Sequence, residues 1–159
     1  MKRRTLFSLS FSIFPLIFAI NQTKSNSDKP QKISLSDEQW KQKLTPEQYN
    51  ILRKEATEKP FSSPLNNEKR KGIYACAGCD LPLFNSSTKY DSGTGWPSFY
   101  DSIEQSLGTK KDFKLILPRT EYHCARCGGH QGHVFNDGPK PTGKRYCNNG
   151  LALKFIPQA

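Results

Sequence analysis

Methionine is almost missing from this sequence: Met1 is the only one in 159 residues. Past the first residue, no thioether is available to fill gaps in a core or to be oxidised. Histidine occurs three times and tryptophan twice, so chemistry near neutral pH has few proton carriers to draw on. Acidic residues are outnumbered 24 to 14 by Lys and Arg, which leaves a formal charge of +10. Three of those cations, Lys2, Arg3 and Arg4, sit in a leading tail, and the others are scattered. They form no stripe of the kind carried by a groove-reading helix, and this argues against a nucleic-acid partner. The apolar fraction is 35%, low for a globular chain, and polar connecting segments account for part of that deficit. The length suits one domain with a true core and excludes two of comfortable size.

Long apolar runs are absent too. The apolar run Leu6 to Ile20, free of charge, is 15 residues, whereas a membrane-spanning helix needs about 20. Set behind a basic start, it has the layout of a secretory signal over residues 1–20. Pro15 argues against a stable span, yet no A-x-A cleavage site follows, so an uncleaved membrane tether is the alternative reading. Arg3 and Arg4 ahead of "TLF" give a loose match to a twin-arginine signal. Either way the expected location is extracytoplasmic: secreted, periplasmic or lumenal. Residues 21–35 read as a flexible polar linker.

The ordered region begins with helix signals. Ser36 with Gln39 forms a capping box ahead of Trp40, and Thr45 with Gln48 forms a second, with Pro46 at the first helical position. Tyr49, Leu52 and Ala56 share one face of that second helix. From Gly72 onward the pattern changes to short β-type runs, "GIYAC", "FKLILP", "RTEYHC", "GHVF" and "LALKFI", separated by Gly, Pro and Asn. The expected class is mainly β and antiparallel, with short helices confined to the N-terminal side.

Cysteine is scarce, and its spacing is informative. Four of the five form two C-x-x-C knuckles, Cys76 with Cys79 and Cys124 with Cys127, each with a turn containing Gly78 or Gly128. Two such knuckles supply four thiolates for a tetrahedral, closed, structural Zn²⁺ site. Two disulfides are the alternative, favoured by an oxidising compartment. A C-x-x-C disulfide is a redox device more than a staple, so zinc is the preferred reading.

Cys147 is left over. Arg145, two residues before it, would depress its pKa, and Asn149, two after it, can donate to a developing oxyanion. His130 and His133, three apart in the glycine-rich "GGHQGHVF", are candidate proton donors. Both histidines with a thiolate can also hold a second metal, and an inert core cysteine is the plain alternative.

The blocks "CAGCDLPLF", "KYDSGTGWPSFYDSI" and "YHCARCGGHQGHVFNDGPKPTGKRYCNNGLAL" resemble the B-type methionine sulfoxide reductases, which act on the R epimer. The resemblance runs over residues 36–157 and implies two antiparallel sheets of β-tent type, stapled by zinc. It also implies that oxidised proteins or peptides carrying methionine-R-sulfoxide are the substrates, in an oxidative-stress repair role. Cys147 would be the nucleophile that attacks the sulfoxide sulfur and becomes a sulfenic acid. His130, His133 and Asn149 would act on the departing oxygen, Arg145 would hold Cys147 ionised, and Trp96 would wall the methyl group. Many members carry a resolving cysteine within "DSGCGWPSF"; here that position is Thr94. With no spare cysteine, the sulfenic acid would be reduced by an external thiol, from thioredoxin, glutaredoxin or a small thiol. The rival reading is a non-catalytic zinc module of related fold that binds a protein partner.

Overall fold

The computed structural model describes residues 29–114 and 117–158. The expected signal or tether over residues 1–20 lies outside the described residues, as does most of the expected linker. Of the linker's described part, Ile33 already donates a backbone hydrogen bond to Arg126, and Leu35 packs on the core.

Both expected capping boxes form. Ser36 caps α1 (Asp37–Lys43) and Thr45 caps α2 (Pro46–Lys54), each with its reciprocal glutamine bond. Glu55 ends α2 in the left-handed conformation. Trp40, Tyr49, Ile51 and Leu52 turn inward, so the two helices bury one apolar side against the β domain.

Nine strands follow among the described residues: β1 (Gly72–Cys76), β2 (Pro82–Asn85), β3 (Lys89–Tyr90), β4 (Ser98–Phe99), β5 (Leu107–Asp112), β6 (Arg119–Cys124), β7 (His130–Phe135), β8 (Arg145–Asn148) and β9 (Leu153–Pro157). They make a three-stranded sheet, β2-β1-β9, and a six-stranded sheet, β3-β4-β8-β7-β6-β5, both antiparallel. Aromatic residues from both sheets fill the space between them. Phe84 stacks on Phe99 with centroids 4.2 Å apart, and Tyr74, Tyr122 and Tyr146 meet this pair edge-on or tilted.

One expected strand is displaced. "FKLILP" was the predicted strand, but the chain extends one segment earlier, at "LGTKKD", and the described part of "FKLILP" is irregular. The reason is edge position. β5 pairs with β6 alone, and the lysines of its exposed Thr109–Lys111 segment suit a strand with one open edge. The apolar residues Phe113 and Leu117 are exposed instead.

Candidate active site and metal centre

The two knuckles sit at the ends of β1 and β6. In each, the backbone N–H of the residue after the second cysteine bonds to the carbonyl of the first, Asp80 to Cys76 and Gly128 to Cys124, both at 2.9 Å. That residue is left-handed in each case, at φ 63° for Asp80 and 69° for Gly128. Asp80, and not Gly78, therefore makes the first turn, a conformation Asp tolerates better than most residues. The four sulfurs lie within 4.8 Å of one another, with Cys76–Cys127 at 3.6 Å and Cys79–Cys124 at 3.4 Å. A tetrahedron of sulfurs at about 2.3 Å from a metal has edges of roughly 3.8 Å, so the cluster has the size and donor set of a metal site. No disulfide links these thiols. Packed so closely the thiols differ in acidity, the Cys79 pKa held down and the Cys76 pKa pushed up, through hydrogen bonds with Cys124 first and then with the others.

The second centre lies on the six-stranded sheet. Cys147 is on β8, paired with His133 of β7 on one side and Ser98 of β4 on the other. Directly opposite residues of an antiparallel pair project from the same face, which brings sulfur and imidazole together. This pairing demands glycine at 132, since a Cβ there would stand 2.0 Å from the Cys147 carbonyl oxygen. Cys147 and His133 line a cavity of about 190 Å³ with Trp96, Thr94, Thr57, Arg119, Phe135, Arg145 and Asn149.

Arg145 lines the cavity, but its guanidinium forks onto Asp137 at 2.8 and 2.9 Å and stacks on Phe135. Burial pushes the Cys147 thiol up, and the Thr94 hydrogen bond and the Arg145 charge only partly offset it. The expected ionising influence of Arg145 is therefore present but outweighed by desolvation. Asn149 is 3% exposed: Oδ1 accepts from Glu58 N, and Nδ2 donates to the Gln131 carbonyl. One Nδ2 proton remains for the cavity. Trp96 anchors its indole N–H on the Glu58 carbonyl at 3.2 Å, and the left-handed Gly95 ahead of it packs where a Cβ would strike Phe61.

The two histidines differ. His133 lines the cavity, while His130 is 2% exposed behind it, with ring centroids 5.5 Å apart. Each is held by a carboxylate that sequence reasoning missed. His133 Nε2 meets Asp112 Oδ2 at 2.7 Å, and Arg119 holds the same oxygen at 2.7 Å. The Lys114 backbone N–H, then His133 and Arg119, hold Asp112 well below the usual carboxylate range. An ionised Asp112 accepts, so the proton of neutral His133 sits on Nε2 and leaves Nδ1 free. Burial keeps His133 down and neutral, against the pull of Asp112. His130 Nδ1 meets Glu121 Oε1 at 2.8 Å, and its buried Nε2 has no partner among the described residues. Burial pushes Glu121 up, but bonds from His123 and His130 prevail and hold it at about 2.

Glu58 is a further residue that sequence reasoning missed. Its carboxylate accepts the backbone N–H groups of Gly150 and Leu151, which fixes the turn after β8. Glu58 and Asn149 are 91 residues apart, and Asp112 and His133 are 21 apart. No local pattern could have paired them.

The family model for the SelR domain matches residues 44–157. The chloroplastic peptide methionine sulfoxide reductase B1 of Arabidopsis thaliana is 49% identical over 153 residues, covering 93% of this chain and 76% of its own. The peptide methionine sulfoxide reductase MsrB of Methanosarcina barkeri is 54% identical, covering 77% of this chain and 87% of its own. The MsrB of Agrobacterium fabrum is 52% identical over 127 residues, 79% of this chain and 94% of its own. Matches of this extent reach both cysteine knuckles, the tryptophan segment and the strand that carries Cys147. The chain belongs to the peptide methionine sulfoxide reductase B family.

Proposed function

We propose that this enzyme reduces the R epimer of methionine sulfoxide in proteins or peptides, with Cys147 as nucleophile. One observation carries the assignment: Cys147 stands opposite His133 at a cavity walled by Trp96. The sulfur of Cys147 attacks the sulfoxide sulfur, and the S–O bond breaks. The thiol proton reaches the departing oxygen by way of His133 Nδ1, the nitrogen that Asp112 leaves free. The oxygen, freed as hydroxide, then bonds to the Cys147 sulfur as the S–S bond made by the attack breaks, its electron pair going to the methionine sulfur; Cys147 is left as a sulfenic acid, methionine leaves as the thioether, and the substrate gains the two electrons that Cys147 loses. Trp96 takes the methyl group, and this contact selects the epimer. Asn149 keeps one amide proton for the oxygen, while His130 buttresses His133 from behind.

Regeneration uses an external thiol. One thiol condenses with the sulfenic acid, releasing water and forming a mixed disulfide; a second thiol releases Cys147 and leaves as the disulfide. Thr94 in place of a second redox cysteine supports this route, with thioredoxin, glutaredoxin or a small thiol as reductant. The four knuckle cysteines hold Zn²⁺, which closes the fold and takes no part in the chemistry, since protein sulfur fills all four positions. The leading basic and apolar segment supports an extracytoplasmic location, with a membrane tether if that segment is retained, and a role in oxidative-stress repair.

The test is reduction of dabsylated methionine-R-sulfoxide with dithiothreitol, comparing wild type with Cys147→Ser. Turnover in the wild type and none in the variant is the expected result; equal turnover removes Cys147 from the chemistry. Mass spectrometry after one turnover without reductant should show one added oxygen at Cys147. An intramolecular disulfide there would overturn the external-thiol route.

A further inference from the structure

Three hydroxyl groups lead away from Cys147 in a line. Thr94 Oγ1 lies 3.9 Å from Cys147 Sγ, Ser92 Oγ lies 2.8 Å from Thr94 Oγ1, and Ser98 Oγ lies 2.7 Å from Ser92 Oγ. The far end is fixed, because Ser98 Oγ donates to the Trp96 carbonyl at 3.1 Å.

A hydroxyl has one proton to give. With the Ser98 proton committed to the carbonyl, Ser92 donates to Ser98, Thr94 donates to Ser92, and the Cys147 S–H donates to Thr94. In this polarity every proton points away from sulfur, and the line suits the neutral thiol. A thiolate needs the reverse: Thr94 turns its proton to sulfur, and Ser92 turns its own to Thr94. The close Ser92–Ser98 contact is then left without a proton unless Ser98 releases the Trp96 carbonyl. Ser98 is fully buried, so solvent does not relieve either loss.

We propose that Thr94, Ser92 and Ser98 form a polarity-switching hydroxyl chain that sets the ionisation of Cys147. Thr94 donates to the thiolate, and the bond from Ser98 to the Trp96 carbonyl opposes that state. The proposal rests on the reading of Cys147 as nucleophile. All three are positioning residues: no proton travels along the line, and the proton lost by Cys147 leaves through the cavity. Where relatives with a resolving cysteine place a second sulfur, Thr94 places a hydrogen-bond donor for the first. The other titratable or charged groups facing Cys147 are Arg145 on its own strand, His133 on β7, Tyr90 on β3, Arg119 and Tyr122 on β6, and Asp137 after β7. The variants below leave all of them in place.

The experiment is the rate of Cys147 alkylation by iodoacetamide across neutral to alkaline pH, followed on the Cys147 peptide by mass spectrometry in the zinc-loaded protein. Thr94→Val should raise the midpoint and slow alkylation at neutral pH about tenfold. Thr94→Ser should restore both. Ser98→Ala should lower the midpoint, because the thiolate arrangement no longer sacrifices a bond. Opposite signs separate this mechanism from general disturbance of the site. An unchanged midpoint in Thr94→Val, or a shift of the same sign in both variants, overturns it. Alkylation needs no sulfoxide, so the result stands apart from whether the protein turns over methionine sulfoxide.

Discussion

Asp112 fixes His133 from the edge strand β5, through a contact of 2.7 Å, while His133 faces Cys147 across the β7–β8 pair. The carboxylate thus decides which imidazole nitrogen faces the cavity without entering it. Asp112→Asn should keep the fold but lose this control, lowering kcat/KM for methionine-R-sulfoxide roughly a hundredfold. Steady-state kinetics with dithiothreitol measures it, and a near-wild-type value would show that the tautomer does not matter.

Glu121 should make the domain acid-sensitive. Its carboxyl sits at about 2 in the fold and near ~4.3 in an unfolded chain, so the unfolded chain takes up the proton first. The stabilisation is full above about pH 4.3 and is lost as the pH falls towards 2. Denaturant unfolding over that window should show a steeper loss for wild type than for Glu121→Gln. Parallel curves would rule the carboxylate out as the source.

Glu58 holds two backbone N–H groups behind β8 and, through its own backbone, Trp96 and Asn149. Glu58→Ala should cost about 3 kcal/mol in chemical denaturation, the range of hydrogen bonds to a buried charged group. Activity should fall with it, because the turn that follows Asn149 loses the carboxylate that fixes it. A stable variant with full activity would contradict this.

Gly132→Ala places a methyl group against the Cys147 carbonyl, and the strands must part. A fall of roughly 10 °C in Tm is expected, read by circular dichroism. Gly93→Ala offers the contrast, since open space surrounds that Cβ and only its positive φ is strained. A larger loss at Gly93 would refute the packing argument.

Chelation should release one equivalent of Zn²⁺ and unfold the domain together, as four-sulfur sites bind and fold in one step. A metallochromic indicator followed beside far-ultraviolet dichroism makes the comparison. Release of metal with the dichroism unchanged would separate the site from folding.

The sequence made some of these features plain because their causes are local. Capping boxes lie within four residues, a knuckle closes within five, and "RTEYHC" carries its own strand propensity, so each appears where expected. The strand at "LGTKKD" was not legible, because its exposed Thr109, Lys110 and Lys111 leave no apolar alternation to read, and "FKLILP", with Phe113 and Leu117 exposed, imitates one. The carboxylates were hidden for another reason. Asp112, Glu121 and Glu58 are ordinary acids until the fold brings them to a histidine or a turn. The same holds for Arg145, whose role was read from its distance along the chain while its charge is shared with Asp137.

Gln131 joins the two centres. Its side chain donates to Cys76 Sγ at 3.4 Å, and its carbonyl receives both the backbone and side-chain N–H of Asn149. A sulfur of the candidate metal site and an amide that lines the Cys147 cavity thus share one intermediary. Oxidation at the four clustered cysteines should therefore reach Asn149, and with it the chemistry proposed at Cys147, without touching that thiol.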